Sequence, residues 1–234
     1  MKIGFDLISD LYLSPSDPFS WEGKATSLYC LIAGNVSYDL RTIGNTLKHL
    51  SKFYQGVFYT TGSLEFQEAT DIPNRIYELS LLCKRVGNVV LLQQQVVIID
   101  GIAILGCNGW SGNTAPTDGA TEGKIEVGRH DDLVYLKTSI EKLQKHNDVT
   151  KILLMTNSVP SKELYFGEVP KIVKYRPELA LTHMLDLDSE AKISHWAYGT
   201  YEKSVDTNIN GVHYITNPSF DKNPYWAKRI EVEV

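Results

Sequence analysis

The chain predicts an α/β protein, a four-layer α/β/β/α sandwich in which two mixed β-sheets pack face to face and helices cover their outer faces. Three observations carry that expectation. The first half alternates short apolar runs with segments of helical period, and the last third is mostly strand-like. No linker, internal repeat or low-complexity tract breaks the 234 residues, so they read as one domain, 1–234.

The elements follow in order. "KIGFDLIS", "SLYCLIAG" and "GVFYTTG" are apolar runs that end in small or polar residues, as buried strands do. Between the second and third, Leu40, Ile43, Leu47 and Leu50 recur at helical steps behind Ser37, a suitable N-cap, and Gly56 is expected to stop that helix. A second helix is expected from about Asp71 to Val86, with Ile72, Ile76, Leu79 and Cys83 on one face, Pro73 in its first turn and Gly87 closing it. "QVVIIDGIAILG" reads as a hairpin, because Asp100-Gly101 between alternating apolar residues is a favoured two-residue turn.

A Gly-rich stretch from Gly106 to Gly123 shows neither period and is expected to be a long loop. A third helix should begin near Asp131 and Asp132, whose charges suit its N-terminus, and end near Lys142, Lys145 and His146, burying Leu133, Leu136, Ile140 and Leu143. "KILLMTN", "KISHWAYG", "EKSVDTNI", "GVHYITN" and "KRIEVEV" complete the strands, with Asn210-Gly211 joining two of them tightly.

Composition narrows the function classes. At 43% hydrophobic and 22% charged the chain is an ordinary globular sequence. A net charge of −5 lacks the basic footprint of non-specific nucleic-acid binding. Cys30, Cys83 and Cys107 are odd in number, far apart and mostly set in apolar runs, which predicts reduced structural thiols in a cytosol-like compartment. "MKIGFDLISD" turns acidic too early for a signal peptide and no run reaches membrane-spanning length, so a soluble cytoplasmic protein without membrane association is expected.

In such a fold ligands sit where strands end and loops begin. The strand ends are "SDLYLS" at Asp10, "AGNVSYD" at Asn35, "TTGSLEF" at Ser63, "LMTNSVPS" at Asn157 and "YGTYE" at Thr200. In that order, over nearly the entire chain, they resemble the motifs of calcineurin-like metallophosphoesterases, which read D-x-H, G-D, G-N-H-E/D, a histidine after a strand, and G-H-x-H. The stretches "NGW", "VVIIDGIAILG", "SVD" and "NGVHYITN" look especially similar to phage-encoded members. A phage origin would place the protein in the host cytoplasm or the virion.

The resemblance implies a metallophosphoesterase-like sandwich with most site chemistry replaced. Asp10 keeps the family's first carboxylate, but Tyr12 stands at its partner histidine and Asn35 at the bridging aspartate. Ser63 takes the place of the ligand asparagine and Leu64 that of the histidine that protonates the leaving group, while Gly62 and Glu65 are kept. Asn157, Thr200 and Glu202 occupy the remaining histidine positions. The family's chemistry clamps a phosphoryl group with two divalent ions, which need a bridging anion and several imidazoles in fixed geometry.

Tyrosine, leucine and threonine supply neither, so the resemblance implies a pseudoenzyme without a metal cofactor. Asn35 and Asn157 avoid the repulsion of clustered carboxylates, and Tyr12 and Tyr201 are expected to fill the space that ions would take. Loop amides at Gly34, Gly62 and Gly199 remain candidates for weak phosphate binding. The alternative is a divergent phosphoesterase in which Asp10, Asn35, Asn157 and Glu202 hold one magnesium, manganese or calcium ion by oxygen.

None of the six histidines, His49, His130, His146, His183, His195 and His213, falls on a matched ligand position. Neither a P-loop nor a nucleophile elbow is present. A silent domain of this size contributes a surface, so a protein partner or self-association is expected, in an interaction or structural role. Aromatic residues on irregular segments are the contact candidates: Trp21 in "DPFSWEG", Trp110 in the glycine-rich stretch, and Tyr225 with Trp226 in "NPYWAK".

Overall fold

Apolar residues of the central strands part into two destinations at period two, and those strands therefore feed two cores. A computed structural model describes residues 1–110, 119–165, 181–201, 203–219 and 225–234, apart from the side chains of 119–126 and 182–183. In the first sheet lie β1 (Lys2–Ile8), β2 (Tyr29–Ala33), β3 (Gly56–Thr60), β4 (Val89–Leu91) and, late in the chain, β11 (Lys228–Glu233), in the order β11-β1-β2-β3-β4. The second contains β5 (Gln95–Ile99), β6 (Ile102–Cys107), β7 (Lys151–Thr156), β8 (Ile193–Tyr198), β9 (Val205–Ile209) and β10 (Val212–Thr216), in the order β5-β6-β7-β8-β10-β9. Both sheets are mixed, with parallel centres and antiparallel edges at β11, β5 and β9.

The sandwich expected from the sequence is the one observed. Phe5, Leu7, Leu31, Phe58, Ile104, Leu153 and Met155 meet between the sheets. Alternate residues Cys30, Ile32, Val57 and Tyr59 face outward under α1 (Leu40–Leu50) and α2 (Ile72–Val86). On the second sheet Ala103, Leu105, Ile152 and Leu154 face outward under α3 (Gly119–Gln144), which contributes Leu136, Ile140 and Leu143. The sheets approach so closely at Gly106 that a Cβ there would lie 2.4 Å from Leu92 Cβ and 2.8 Å from Thr60 Cγ2.

Local chemistry explains the element ends and corrects three expectations. Asp39, not Ser37, caps α1, its carboxylate accepting from Thr42 N–H at 2.7 Å; Ser37 instead donates to Leu13 O at 2.7 Å. Helix α1 stops at Leu50 and Gly56 opens β3. The glycine-rich stretch is strand through Cys107 and helix from Gly119, because glycines hide a helical period without forbidding the helix; its residues 111–118 lie outside the described residues. Strand β4 was not foreseen, since three residues are too few to show a period. Helix α2 ends at Gly87, φ +94°, as expected, and Asp71 caps its start by accepting from Asn74 N–H. Asp100-Gly101 and Asn210-Gly211 form their turns with left-handed φ at each residue.

Candidate functional site

The carboxyl ends of β1, β2, β3, β7 and β8 come together, and with them Asp10, Asn35, Ser63, Leu64, Asn157 and Thr200. The loops hold a strained shape. Asp10, Tyr12, Asn35 and Thr200 all have left-handed backbones, at φ 54°, 48°, 56° and 56°, a conformation that costs a non-glycine residue free energy and persists where neighbours over-determine it. Here the determination is mutual: Asp10 N–H donates to Gly34 O and Tyr12 N–H to Asn35 O, each at 3.0 Å.

The side chains close on one another. Asn35 Nδ2 donates to Asp10 Oδ1 at 2.8 Å, and Thr200 N–H donates to the same oxygen at 3.0 Å. Asn35 Oδ1 accepts from Leu64 N–H at 3.0 Å and from Ser63 Oγ at 3.4 Å. The Thr200 hydroxyl donates to Asn157 Oδ1, and Asn157 Nδ2 donates to Ala33 O at 2.9 Å. The Asn157 amide lies between two glycines: a Cβ on Gly34 would meet its Nδ2 at 2.6 Å and one on Gly199 at 2.7 Å. Burial lifts the Asp10 carboxyl to about 7 against the pull of its bond from Asn35.

Glu65 has a different task. Fully buried, it accepts at Oε1 from Val36 N–H and Tyr59 hydroxyl, both at 2.8 Å. At Oε2 it accepts from Gly62 N–H at 2.8 Å and Asn35 N–H at 3.2 Å. One carboxylate thus ties the loop after β2 to the loop after β3. Burial pushes its pKa up while these donors hold it down.

The residues present do not fit a binuclear metal pair. Among the described residues no group of three or more His, Cys, Asp or Glu side chains is arranged to hold a metal ion. The side-chain oxygens of Asn35 and Asn157 are already taken by donors, and Asp10 Oδ2 is the one carboxylate oxygen of the cluster left buried without a hydrogen-bond partner. Glu202, the fourth member of the proposed oxygen set, lies outside the described residues.

Two further expectations are corrected here. Tyr12 does not fill the site, being 48% exposed; the Asn157 amide takes the central place because it reaches a backbone acceptor there. The Tyr201 ring lies edge-on to Tyr165 with centroids 5.6 Å apart. The amides of Gly62 and Gly199 are not open to phosphate, since the first donates to Glu65 and the second to Thr156 O at 3.2 Å.

The contact candidates also divide. Trp21 is wholly buried, donating from Nε1 to Tyr54 hydroxyl at 2.7 Å, and Tyr54 donates to buried Asp6 at 2.9 Å. Trp110 is 6% exposed and packs on Phe66, while its carbonyl accepts from Arg129 Nη2 at 2.8 Å. Both are packing residues, against expectation, because an aromatic ring on an irregular segment covers a sheet edge as readily as it faces solvent. Tyr225 is half-buried beside Phe19, and Trp226 remains 45% exposed.

Histidines keep structural company. His49 Nε2 accepts from Trp21 N–H at 3.0 Å; His130 and His146 lie on and just after α3. His195 and His213 are neighbours on β8 and β10, their rings 5.4 Å apart, and burial lowers His195 to about 4. His183 falls in the 3₁₀ segment Leu181–Leu187, its side chain outside those described. The sequence reading missed Asp132. Rather than facing solvent at a helix start, it is buried inside α3 and accepts from Gly109 N–H and Gln94 Nε2 at 2.8 and 2.9 Å, its pKa pushed up to about 6 by burial.

No family model matches the chain, and no curated protein matches it in sequence. Solved structures do match. The phosphopantetheinyl hydrolase PptH of Mycobacterium tuberculosis is similar over 98% of this chain and 96% of its own, with TM-score 0.66 and 15% identity. GAP50, described as the anchor in the inner membrane complex of Plasmodium, is similar over 93% and 72%, with TM-score 0.55 and 12% identity. A Staphylococcus aureus protein assigned as a candidate 5'-nucleotidase is similar over 100% of this chain and 51% of its own, with TM-score 0.59 and 13% identity. The chain has the calcineurin-like metallophosphoesterase fold.

Proposed function

We propose that this domain is a catalytically silent form of the metallophosphoesterase fold that works as a protein-interaction or structural module. One observation carries the reading: Asp10, Asn35, Thr200 and Asn157 spend all but one of their side-chain oxygens on hydrogen bonds among themselves and to the neighbouring loop, where the fold's chemistry would require ligands open to a pair of cations. Leu64 offers no proton to a leaving group. The fold itself is neutral on this point, since its neighbours include hydrolases as well as GAP50, whose description is that of an anchor. The phage-like stretches extend the proposal to a phage-encoded protein of the host cytoplasm or virion.

A second reading has one observation of its own. Asp10 Oδ2 is a buried carboxylate oxygen without a hydrogen-bond partner, which favours a single magnesium, manganese or calcium ion in a divergent phosphoesterase. Metal analysis of the purified protein, coupled to turnover of a generic phosphodiester with manganese, separates the two. The module gives sub-stoichiometric metal and no turnover above background; stoichiometric metal with turnover that disappears in Asp10→Ala overturns it.

A further inference from the structure

Sheet edges expose unpaired backbone groups, and natural proteins guard them with charge, brevity or cover. Three edges here are guarded. Strand β11 presents Arg229, Glu231 and Glu233 to solvent, β9 presents Asp206 and Asn208, and β4 is only three residues long. Strand β5 is the exception. Its sequence QVVII contains no charge and no proline, and Val96 and Ile98 are 37% and 45% exposed.

The hairpin determines which groups are open. A two-residue turn at Asp100-Gly101 makes Ile99 and Ile102 a bonded pair, so Gln95, Val97 and Ile99 spend their N–H and C=O on β6. Those of Val96 and Ile98 point away from the sheet. Val97 and Ile99 project onto the inter-sheet core and are half-buried there. The edge is therefore apolar on both faces, with a row of main-chain donors and acceptors between them.

We propose that β5 pairs antiparallel with β5 of a second copy of this chain, joining two six-stranded sheets across a two-fold axis at Val97. The strand suits its own copy. In that register Val96 faces Ile98 of the second copy, each pair exchanging main-chain hydrogen bonds, and Val97 faces Val97. Asp100 falls opposite a neutral Gln94, so no like charges meet across the axis, and β-branched pairs are favourable at such positions. A strand from another protein would have to match this pattern; a second copy already does.

The pairing supplies a surface for the interaction role proposed above, yet it does not depend on a silent cleft. Sedimentation velocity over a concentration series tests it on the full chain, with hydrogen exchange at Val96 and Ile98 as the local readout. The wild type should run as a reversible dimer with both amides protected. Val96→Lys and Ile98→Lys should each raise the dimer dissociation constant at least about ten-fold and unprotect those amides, with circular dichroism unchanged. Val96→Pro should do the same, because the N–H it removes is not used within the chain. A wild type monomeric at every concentration, a dimer indifferent to the lysine substitutions, or open-ended assembly in place of a dimer overturns the pairing. A monomer without turnover refutes this inference alone, whereas turnover refutes only the proposed silence.

Discussion

Replacing Glu65 tests whether this buried acid is a pin between loops. Glu65→Ala leaves buried donors at Val36, Gly62 and Asn35 N–H and at Tyr59 hydroxyl, with bonds of 2.8, 2.8, 3.2 and 2.8 Å removed. A buried donor without a partner costs about 1–3 kcal/mol. The hydroxyl can reorient, the longest bond is weak, and loss of a desolvated carboxylate returns some free energy. The expected net loss is about 4 kcal/mol, a large share of a domain stability of roughly 5–15 kcal/mol. Glu65→Gln should cost less, about 2 kcal/mol. Its oxygen can keep Gly62 and Asn35, and Tyr59 can turn to accept from the new amide, which leaves Val36 N–H facing a donor. Urea unfolding followed by circular dichroism gives both values from midpoint and slope. A loss below about 1 kcal/mol for alanine, or glutamine as damaging as alanine, refutes the assignment.

Asp10→Asn tests the cost of the buried carboxyl. Its folded pKa near 7 stands above the ordinary 3.8, so wild-type stability is free of the ionisation penalty below about pH 4, falls as pH rises to about 7 and is level beyond. The variant lacks that fall, and its stability relative to wild type should rise across this window by at most on the order of 4 kcal/mol; a difference flat with pH refutes it. Gly106→Ala should destabilise by about 2–3 kcal/mol in the same unfolding assay, because Leu92 Cβ lies 2.4 Å from the added methyl group and neither sheet can retreat without opening the core; a neutral substitution would show the sheets are not in contact there. Trp226→Ala should leave the unfolding free energy within about 0.5 kcal/mol of wild type, its ring being 45% exposed, and a larger loss would assign it a packing role.

The layers were legible because period alone separates strands from helices, and most of the strand ends that build the site followed from it. Asp10, Asn35, Asn157 and Thr200 could be placed together because each follows an apolar run and because their order resembles the metallophosphoesterase motifs. What they do to each other could not, since an amide reads as an acceptor or a donor only once its neighbour is known. Glu65 stood in the sequence as a retained motif residue, while its task depends on donors from two loops and a tyrosine on β3. Trp21 and Trp110 read as surface aromatics because nothing local announces Tyr54 or Arg129. Strand β4 and the first turns of α3 escaped for the opposite reason, one too short and the other too rich in glycine to show a rhythm.

The cluster around Asp10 also has a directional property. Changing Asn35 alone to aspartate would exchange the amide that now donates at 2.8 Å for a second carboxylate at the same spacing. Changing Asn157 alone would remove the donor that holds Ala33 O. Each of these two steps, taken alone, runs uphill, so the Asn35 and Asn157 amides latch one another in place.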